Sequence, residues 1–417
     1  MRILHLTPEL PYVPGGGGGA TRQFHLLRRL VELGHAVTVV APATAAQLEQ
    51  TRAPAILRDA GIDLEPAIRA SRPAAVALGV RREPRLVAAA VRWPLYAWQF
   101  NLFWASMHQR VHDLIATSQP DVITIEHDDA AGWVRDLPAR PPRVLMTQNV
   151  SWKLWQGLAA RAGAIRARAF RVEAARHRGY VREHLSRFDA VVAVSDVDAA
   201  DLRRLGAAKL GLIPNGAACD ELSPAPDSAS PPTLLFTGSM HHPPNPEGVN
   251  WFADEVWPAV RRELPHARLV VVGRGPQRKV RPLAARPGIE VVGPVPSMAP
   301  YFERATAVVV PLLSGSGTRL KILESLGSGR AVLATSIGAE GLELTAGRDV
   351  LIEDDPERFA TAAVRLLTDL ELRRTLAETG RATVIERYDW RLLGDRLERL
   401  LTDVAEAPVT ATAEAWA

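Results

Sequence analysis

The chain has 417 residues, 47% of them hydrophobic, with 30 glycines, 32 prolines and a single cysteine, Cys219. That is material for two cores, and one cysteine excludes an internal disulfide or a cysteine-held metal cluster, which fits a reducing compartment. A formal charge of +4 suits an anionic substrate or an acidic surface, and without a zinc finger, an RNA-binding signature or a dense lysine stripe no nucleic-acid partner is expected.

In chain order, residues 2–7 are a short apolar run that reads as a strand, with no apolar stretch of signal-peptide length before it. No segment reaches the roughly 18 uninterrupted apolar residues of a membrane span, so the expected location is cytoplasmic. Five glycines follow, Gly15, Gly16, Gly17, Gly18 and Gly19, then helical spacing over residues 20–33 up to Gly34, and a strand at 37–41. A glycine run lets backbone approach a ligand closely. Its ordering entropy is large, and a plain flexible connection is the other reading.

Residues 72–110 combine Arg81, Arg82, Arg85 and Arg92 with Trp93, Tyr96, Trp98, Phe100, Phe103 and Trp104. The composition suits a helix lying on an acidic membrane, which would place the protein peripherally at the inner face. Pro84 and Pro94 interrupt the stretch and favour core aromatics with solvated arginines. A strand at 122–126 runs into Glu126-His127-Asp128-Asp129, at the end where active-site residues collect. His127 is there a catalytic candidate or, equally, a satisfied surface histidine beside helix-capping aspartates.

A strand at 144–147 leads into Thr147-Gln-Asn-Val150. A second basic helix carries Arg161, Arg166, Arg168, Arg171, Arg176 and Arg178. Strands at 190–195 and 211–214 end in Val-Ala-Val-Ser195 and Ile213-Pro-Asn-Gly216. Residues 223–233, Ser-Pro-Ala-Pro-Asp-Ser-Ala-Ser-Pro-Pro-Thr, lack large apolar side chains and read as a linker between two α/β units.

The second half repeats the pattern with strands at 234–238, 269–273, 289–293, 307–313 and 331–335. Such alternation argues for parallel sheets covered by helices. Residues 237–245 hold His241 and His242, and Arg274 follows the next strand in Val-Val-Gly-Arg-Gly. No carboxylate or cysteine stands at ligand spacing from the two histidines, so no metal is expected.

Residues 307–336 are the most informative. A strand is followed by the turn Ser314-Gly-Ser-Gly-Thr318 and the helix Arg319-Leu-Lys-Ile-Leu-Glu-Ser-Leu-Gly. Small turn residues and free helix N–H groups make a cradle for a phosphate or diphosphate. Arg319 and Lys321 are placed in the first helical turn, where the dipole disfavours cations unless an anion is bound. Glu324, one turn on, is spaced to accept hydrogen bonds from sugar hydroxyls. A glycine-tightened βα turn with solvated basic residues is the other reading. Arg387-Tyr-Asp-Trp390 then opens an amphipathic helix over residues 391–401, and the tail from residue 405 lacks periodicity.

On these motifs, and from residue 1 to about 400, the chain resembles the GT-B glycosyltransferases, specifically the retaining family 4. The resemblance implies an α/β fold of two Rossmann-like domains facing each other across a cleft. Residues 1–222 would form the acceptor-side domain, 223–232 the linker and 233–388 the nucleotide-sugar donor domain. A helix at 389–404 would cross back to the first domain, and 405–417 would be a frayed tail. The implied activity is transfer of a sugar from a nucleoside diphosphate to an acceptor hydroxyl with retention of configuration. The donor is a substrate and no cofactor is called for; the acceptor would be a glycan, a lipid-linked intermediate or a small molecule.

Arg319 and Lys321 would neutralise the leaving diphosphate, with His127 and Gln148 beside the transferring sugar. Gly16, Gly17, Gly18, Gly238, Arg274, Val295, Ser316, Gly317, Thr318, Leu320 and Glu324 would line the donor, Val295 through the backbone of Val292-Gly-Pro-Val295. Three positions depart from the family. Ser316 stands where the first of two glutamates belongs. Gln148 replaces a histidine that many members carry and cannot shuttle a proton at neutral pH. His241 and His242 lie where relatives have an arginine and a lysine. The alternative is a catalytically silent nucleotide-sugar binder, or an epimerase or phosphorylase of the same fold.

Overall fold

Runs of Val, Ile and Leu bounded by glycine and proline become the strands of two parallel sheets. The computed structural model describes residues 1–68, 94–224, 231–275, 277–315 and 318–407. Ser316, Gly317, Arg81, Arg82, Arg85, Arg92, Trp93 and the tail from residue 408 lie outside them. By their contacts the residues fall into two units, Met1–Pro214 joined by the stretch from Leu393, and Asn215–Leu392.

The first unit holds β1 (Arg2–Leu6), β2 (Ala36–Ala43), β3 (Asp63–Ile68), β4 (Val122–Glu126), β5 (Arg143–Met146), β6 (Ala190–Ala193) and β7 (Leu210–Leu212). They form one seven-stranded sheet in the order β3-β2-β1-β4-β5-β6-β7. All five residues of β4 are buried. Each fully buried Val or Ile contributes about 1.5–3 kcal/mol, so a continuous β-branched run is the natural centre of a parallel sheet. The register sets Ile3 opposite Val122 and Leu6 opposite Ile125. The chain winds outward from β1 to β3 and restarts at β4 on β1's other side. The crevice beyond the carboxyl ends of β1 and β4 is therefore the topological switch point, where such sheets bind ligands. The glycine run follows β1, and Glu126 ends β4.

Helix α1 (Gly18–Glu32) starts inside the glycine run. In α2 (Leu95–Ser118) Phe103 and Trp104 are buried. Trp104 stacks on Trp133 at 5.5 Å and donates to Asp136 Oδ2 at 2.7 Å. Trp98 and Phe100 pack on the same core. The described aromatics of residues 72–110 thus serve the interior. Helix α3 (Ser151–Arg161) pairs with α4 (Ala164–Leu185), which buries Ala167, Ala174, His177, Tyr180 and Val181 and exposes Arg166, Arg168, Arg171 and Arg178. Among the described residues no helix is long and apolar enough to cross a membrane. The helix Trp390–Ala405 buries Leu393, Leu397 and Leu401, and its Asp395 pairs with Arg29 of α1 at 2.8 Å.

The second unit holds β8 (Thr233–Thr237), β9 (Arg268–Val272), β10 (Ile289–Val292), β11 (Ala307–Val310), β12 (Val332–Ala334) and β13 (Leu351–Ile352). The sheet order is β10-β9-β8-β11-β12-β13, so its switch point lies between β8 and β11. Residues 215–222 belong here, ahead of the proline-rich run: Ala217 N–H donates to the Tyr388 carbonyl at 2.8 Å. Two strands, β3 and β13, exceed the sequence expectation. Both lie at sheet edges; β3 carries Pro66, which an edge tolerates because one side has no ladder to break, and β13 is two residues long.

Candidate active site

The carboxyl edge of the second sheet is built around a half-buried lysine, Lys321. After β11 the chain turns through Ser314 and Thr318 into α5 (Leu320–Gly327), with Arg319 as N-cap and no side-chain cap. Arg319 therefore precedes the first turn in which the sequence pattern placed it. Thr318 is anchored by Asn215, whose N–H donates to Thr318 Oγ1 (3.3 Å) and whose amide donates to the Thr318 carbonyl (3.0 Å). Ser314 Oγ donates to Glu247 Oε2 at 2.7 Å. The turn is thus pinned on both sides.

Lys321 Nζ donates to Asn245 Oδ1 at 2.7 Å and lies 4.5 Å from the centroid of the Phe236 ring. Gly238, at φ +157°, makes this approach feasible: a Cβ there would sit 2.8 Å from Lys321 Nζ. Burial, and then the charge of Arg319, push Lys321 down to about 7, against Glu324. Burial also raises Glu324, against Lys321. His242 is pushed down to about 4 by partial burial of its ring and then by Arg319 and Lys321, so it is neutral. The positive charge at this edge rests on Arg319 and Lys321. Two cations, a helix N-terminus and a carboxylate one turn on can hold a diphosphate with a hydroxyl-bearing group beside it.

In the first unit, Gly16 precedes the N-cap Gly17, and α1 begins at Gly18 without a side-chain cap. The Gln148 amide lies over Gly19, where a Cβ would stand 2.1 Å from Gln148 Oε1. Glu126, 2% exposed, is pushed up to about 7 by burial, opposed by Arg22, Gln148 and His127. Arg22 is equally buried and donates to the Pro214 carbonyl (2.7 Å) and the Ile213 carbonyl (2.8 Å).

His127 has φ +84°, a strained conformation for a non-glycine residue. Its ring lies 3.3 Å from carboxylate oxygens of both Asp128 and Asp129. Burial opposes charge on His127, yet the carboxylates of Asp128 and Asp129 outweigh it and hold the imidazolium well above the usual range. The fully buried His177 is 2.9 Å from Asp129 Oδ1. Asp128 accepts from the N–H (2.9 Å) and hydroxyl (2.7 Å) of Ser151 at the start of α3. His127 is therefore neither a solvated histidine nor a lone base, but part of a buried ion network. His127, Asp128 and Asp129 bring metal-capable atoms within 4.8 Å of one another, with both carboxylates committed to Ser151 and His177. An Asp-x-Asp sequence occurs at Asp196-Val-Asp198; Asp198 pairs with Lys153 at 3.2 Å, and its N–H is capped by Ser195.

A family model described as "Glycosyl transferases group 1" matches residues 231–369, and one described as "Glycosyltransferase Family 4" matches residues 16–221. Together they span most of the sequence. The chain belongs to the group 1 glycosyltransferases. It is 29% identical over 203 residues to a phosphatidyl-myo-inositol mannosyltransferase of Mycobacterium leprae, covering 46% of this chain and 53% of that protein. The chain spans about half the length of the curated relatives it matches. Among solved structures it is similar to sucrose-phosphate synthase of Thermosynechococcus elongatus, with a TM-score of 0.71, 17% identity and coverage of 97% and 98% of the two chains. It is also similar to HepE of Anabaena in complex with UDP and glucose, with a TM-score of 0.63, 15% identity and coverage of 97% and 100%. At such identities the likeness shows the fold, two Rossmann-like domains of GT-B type.

In this group 1 glycosyltransferase the second unit brings Gly238, Thr318, Arg319, Lys321 and Glu324 to one edge, with Leu320 half-buried at the start of α5. Arg274 is exposed, and its carbonyl accepts from Met240 N–H at 2.7 Å. Val295 packs on the unit's core. Ser316 and Gly317 lie outside the described residues. Sequence reasoning missed Asn245, Phe236 and Asn215, which hold Lys321 and Thr318. Asn245 closes the 237–245 run, but nothing in its spacing points to a lysine 76 residues away.

Proposed function

We propose that this glycosyltransferase moves a sugar from a nucleoside diphosphate to an acceptor hydroxyl with retention of configuration. The observation that carries the reading is Lys321: a half-buried lysine lowered to about 7 beside Arg319 regains its charge when a diphosphate compensates both cations. Charge of this kind stabilises the leaving diphosphate as the anomeric C–O bond breaks. Glu324 accepts hydrogen bonds from the nucleotide ribose. The acceptor attacks on the face the diphosphate leaves, and the departing phosphate helps remove its proton.

The HepE neighbour was solved with UDP and glucose, which favours a UDP-sugar as the first donor to try. The mannosyltransferase relative adds a mannosyl donor and a lipid-linked acceptor to the candidates. The expected setting is cytoplasmic glycan or natural-product assembly, and the local cations take the role a metal has elsewhere.

The test is release of nucleoside diphosphate from a panel of nucleotide sugars without acceptor, with and without EDTA. Slow release from at least one donor, surviving EDTA, is expected. No release from any donor favours a silent binder, and loss in EDTA restored by magnesium or manganese overturns metal independence.

A further inference from the structure

Glu126 is 2% exposed at the end of β4. The Gln148 amide lies beside its carboxyl, yet neither Glu126 Oε1 nor Gln148 Nε2, both buried, has a hydrogen-bond partner among the described residues. The amide fills the room left by Gly19 at the start of α1: a Cβ there would stand 2.1 Å from Gln148 Oε1 and 2.5 Å from Nε2. A buried acceptor and a buried donor side by side are costly unless they pair in some state of the protein. The other groups facing Glu126 are Arg22 of α1, His127 at the end of β4 and Glu9 in the loop after β1.

We infer that Glu126 is a positioning residue that sets which end of the Gln148 amide, held over Gly19, is turned toward the substrate. The link to sugar transfer rests on the function proposed above. As a carboxylate, Glu126 accepts from Gln148 Nε2 and leaves Oε1 outward to accept from a substrate hydroxyl. Protonated, it donates to Oε1 and turns the NH2 group outward. Glutamine has both faces and does not titrate, so the titrating group stands one layer inward from Gln148. Burial, only partly offset by Arg22, brings Glu126 up to about 7, so both forms are populated near neutrality.

The direct test is the side-chain amide NMR signal of Gln148, assigned by its loss in Gln148→Leu and followed through a pH titration in the full chain. In the wild type it shifts with a midpoint near 7; in Glu126→Gln it does not titrate. In parallel, kcat/KM for transfer falls about tenfold in Glu126→Gln and loses its inflection near neutrality, while nucleoside diphosphate affinity stays within about twofold. A Gln148 signal that titrates unchanged in Glu126→Gln, as it would if His127 caused the shift, overturns the inference; so does one that never titrates. Should Glu126→Gln fail to fold, Gly19→Ala displaces the amide and must abolish the titration instead. If the amide titrates as stated but no donor is turned over, the transferase reading fails and the positioning role stands.

Discussion

Lys321 shows what a desolvated cation costs a fold. Its ammonium is taken from water beside Arg319, and a glycine at 238 gives it room. Its folded value, about 7, lies below the ordinary 10.5, so between those values the unfolded chain binds more protons. Stability then rises with pH, and the burial cost is full below about 7 and fades toward 10.5. Lys321→Met should raise the melting temperature by a few degrees at pH 7 or below, with a gain that shrinks toward pH 10. An unchanged or lowered melting temperature at pH 7 would refute this. A bound diphosphate raises Lys321 again, so binding at pH 8 should take up protons, seen by calorimetry in buffers of different ionisation heat. Absence of uptake would mean that the phosphates bind elsewhere. The spacing of Arg319, Lys321 and Glu324 made these residues legible in sequence. Phe236 and Asn245 were not, because a cation's partners are chosen by the fold and not by neighbours in the chain.

At the scale of elements, the loops after β1, β4, β8 and β11 carry nearly all of the candidate chemistry, and three of the four were recognisable as motifs. The loop after β4 was ambiguous, since a Glu-His-Asp-Asp run reads equally as catalyst or cap. The structure ties this run to His177, contributed by α4 fifty residues later along the chain. Removing one member of a buried ion pair costs about 3–5 kcal/mol, so Asp129→Asn should destabilise the first unit by that order in urea or thermal unfolding. Wild-type stability would show that the network carries no such weight. Central strands were readable because runs such as Arg-Leu-Val-Val-Val in β9 are buried almost throughout. Two of the edge strands were not: β3 mixes Asp, Glu and Pro, and its exposure pattern gives no apolar face to detect, and β13 is two residues long. The aromatics of α2 left a membrane face open beside the favoured core reading, because composition does not say which face a helix buries. Trp104, stacked on Trp133, shows that it is the inner one.

For the whole molecule, two parallel sheets place their switch points where the sequence motifs fall, at β1/β4 and β8/β11. This agreement between topology and motif supports a site in each unit more firmly than either would alone. The division between units was less legible: the proline-rich run marks a change of composition, but contacts such as Ala217 to Tyr388 put the boundary earlier, at Pro214 and Asn215. Which sugar and which acceptor are used depends on pocket shape, which no spacing pattern encodes. The central claim is that the second unit binds the donor diphosphate through Lys321. It is tested most directly by calorimetric titration of nucleoside diphosphates into the wild type and Lys321→Ala, both in EDTA. Charge-assisted hydrogen bonds are worth roughly 1.5–3 kcal/mol, so saturable binding that weakens about tenfold to a hundredfold in the variant is the predicted result. Equal affinities in the two proteins, or no binding of any nucleoside diphosphate, would contradict the account.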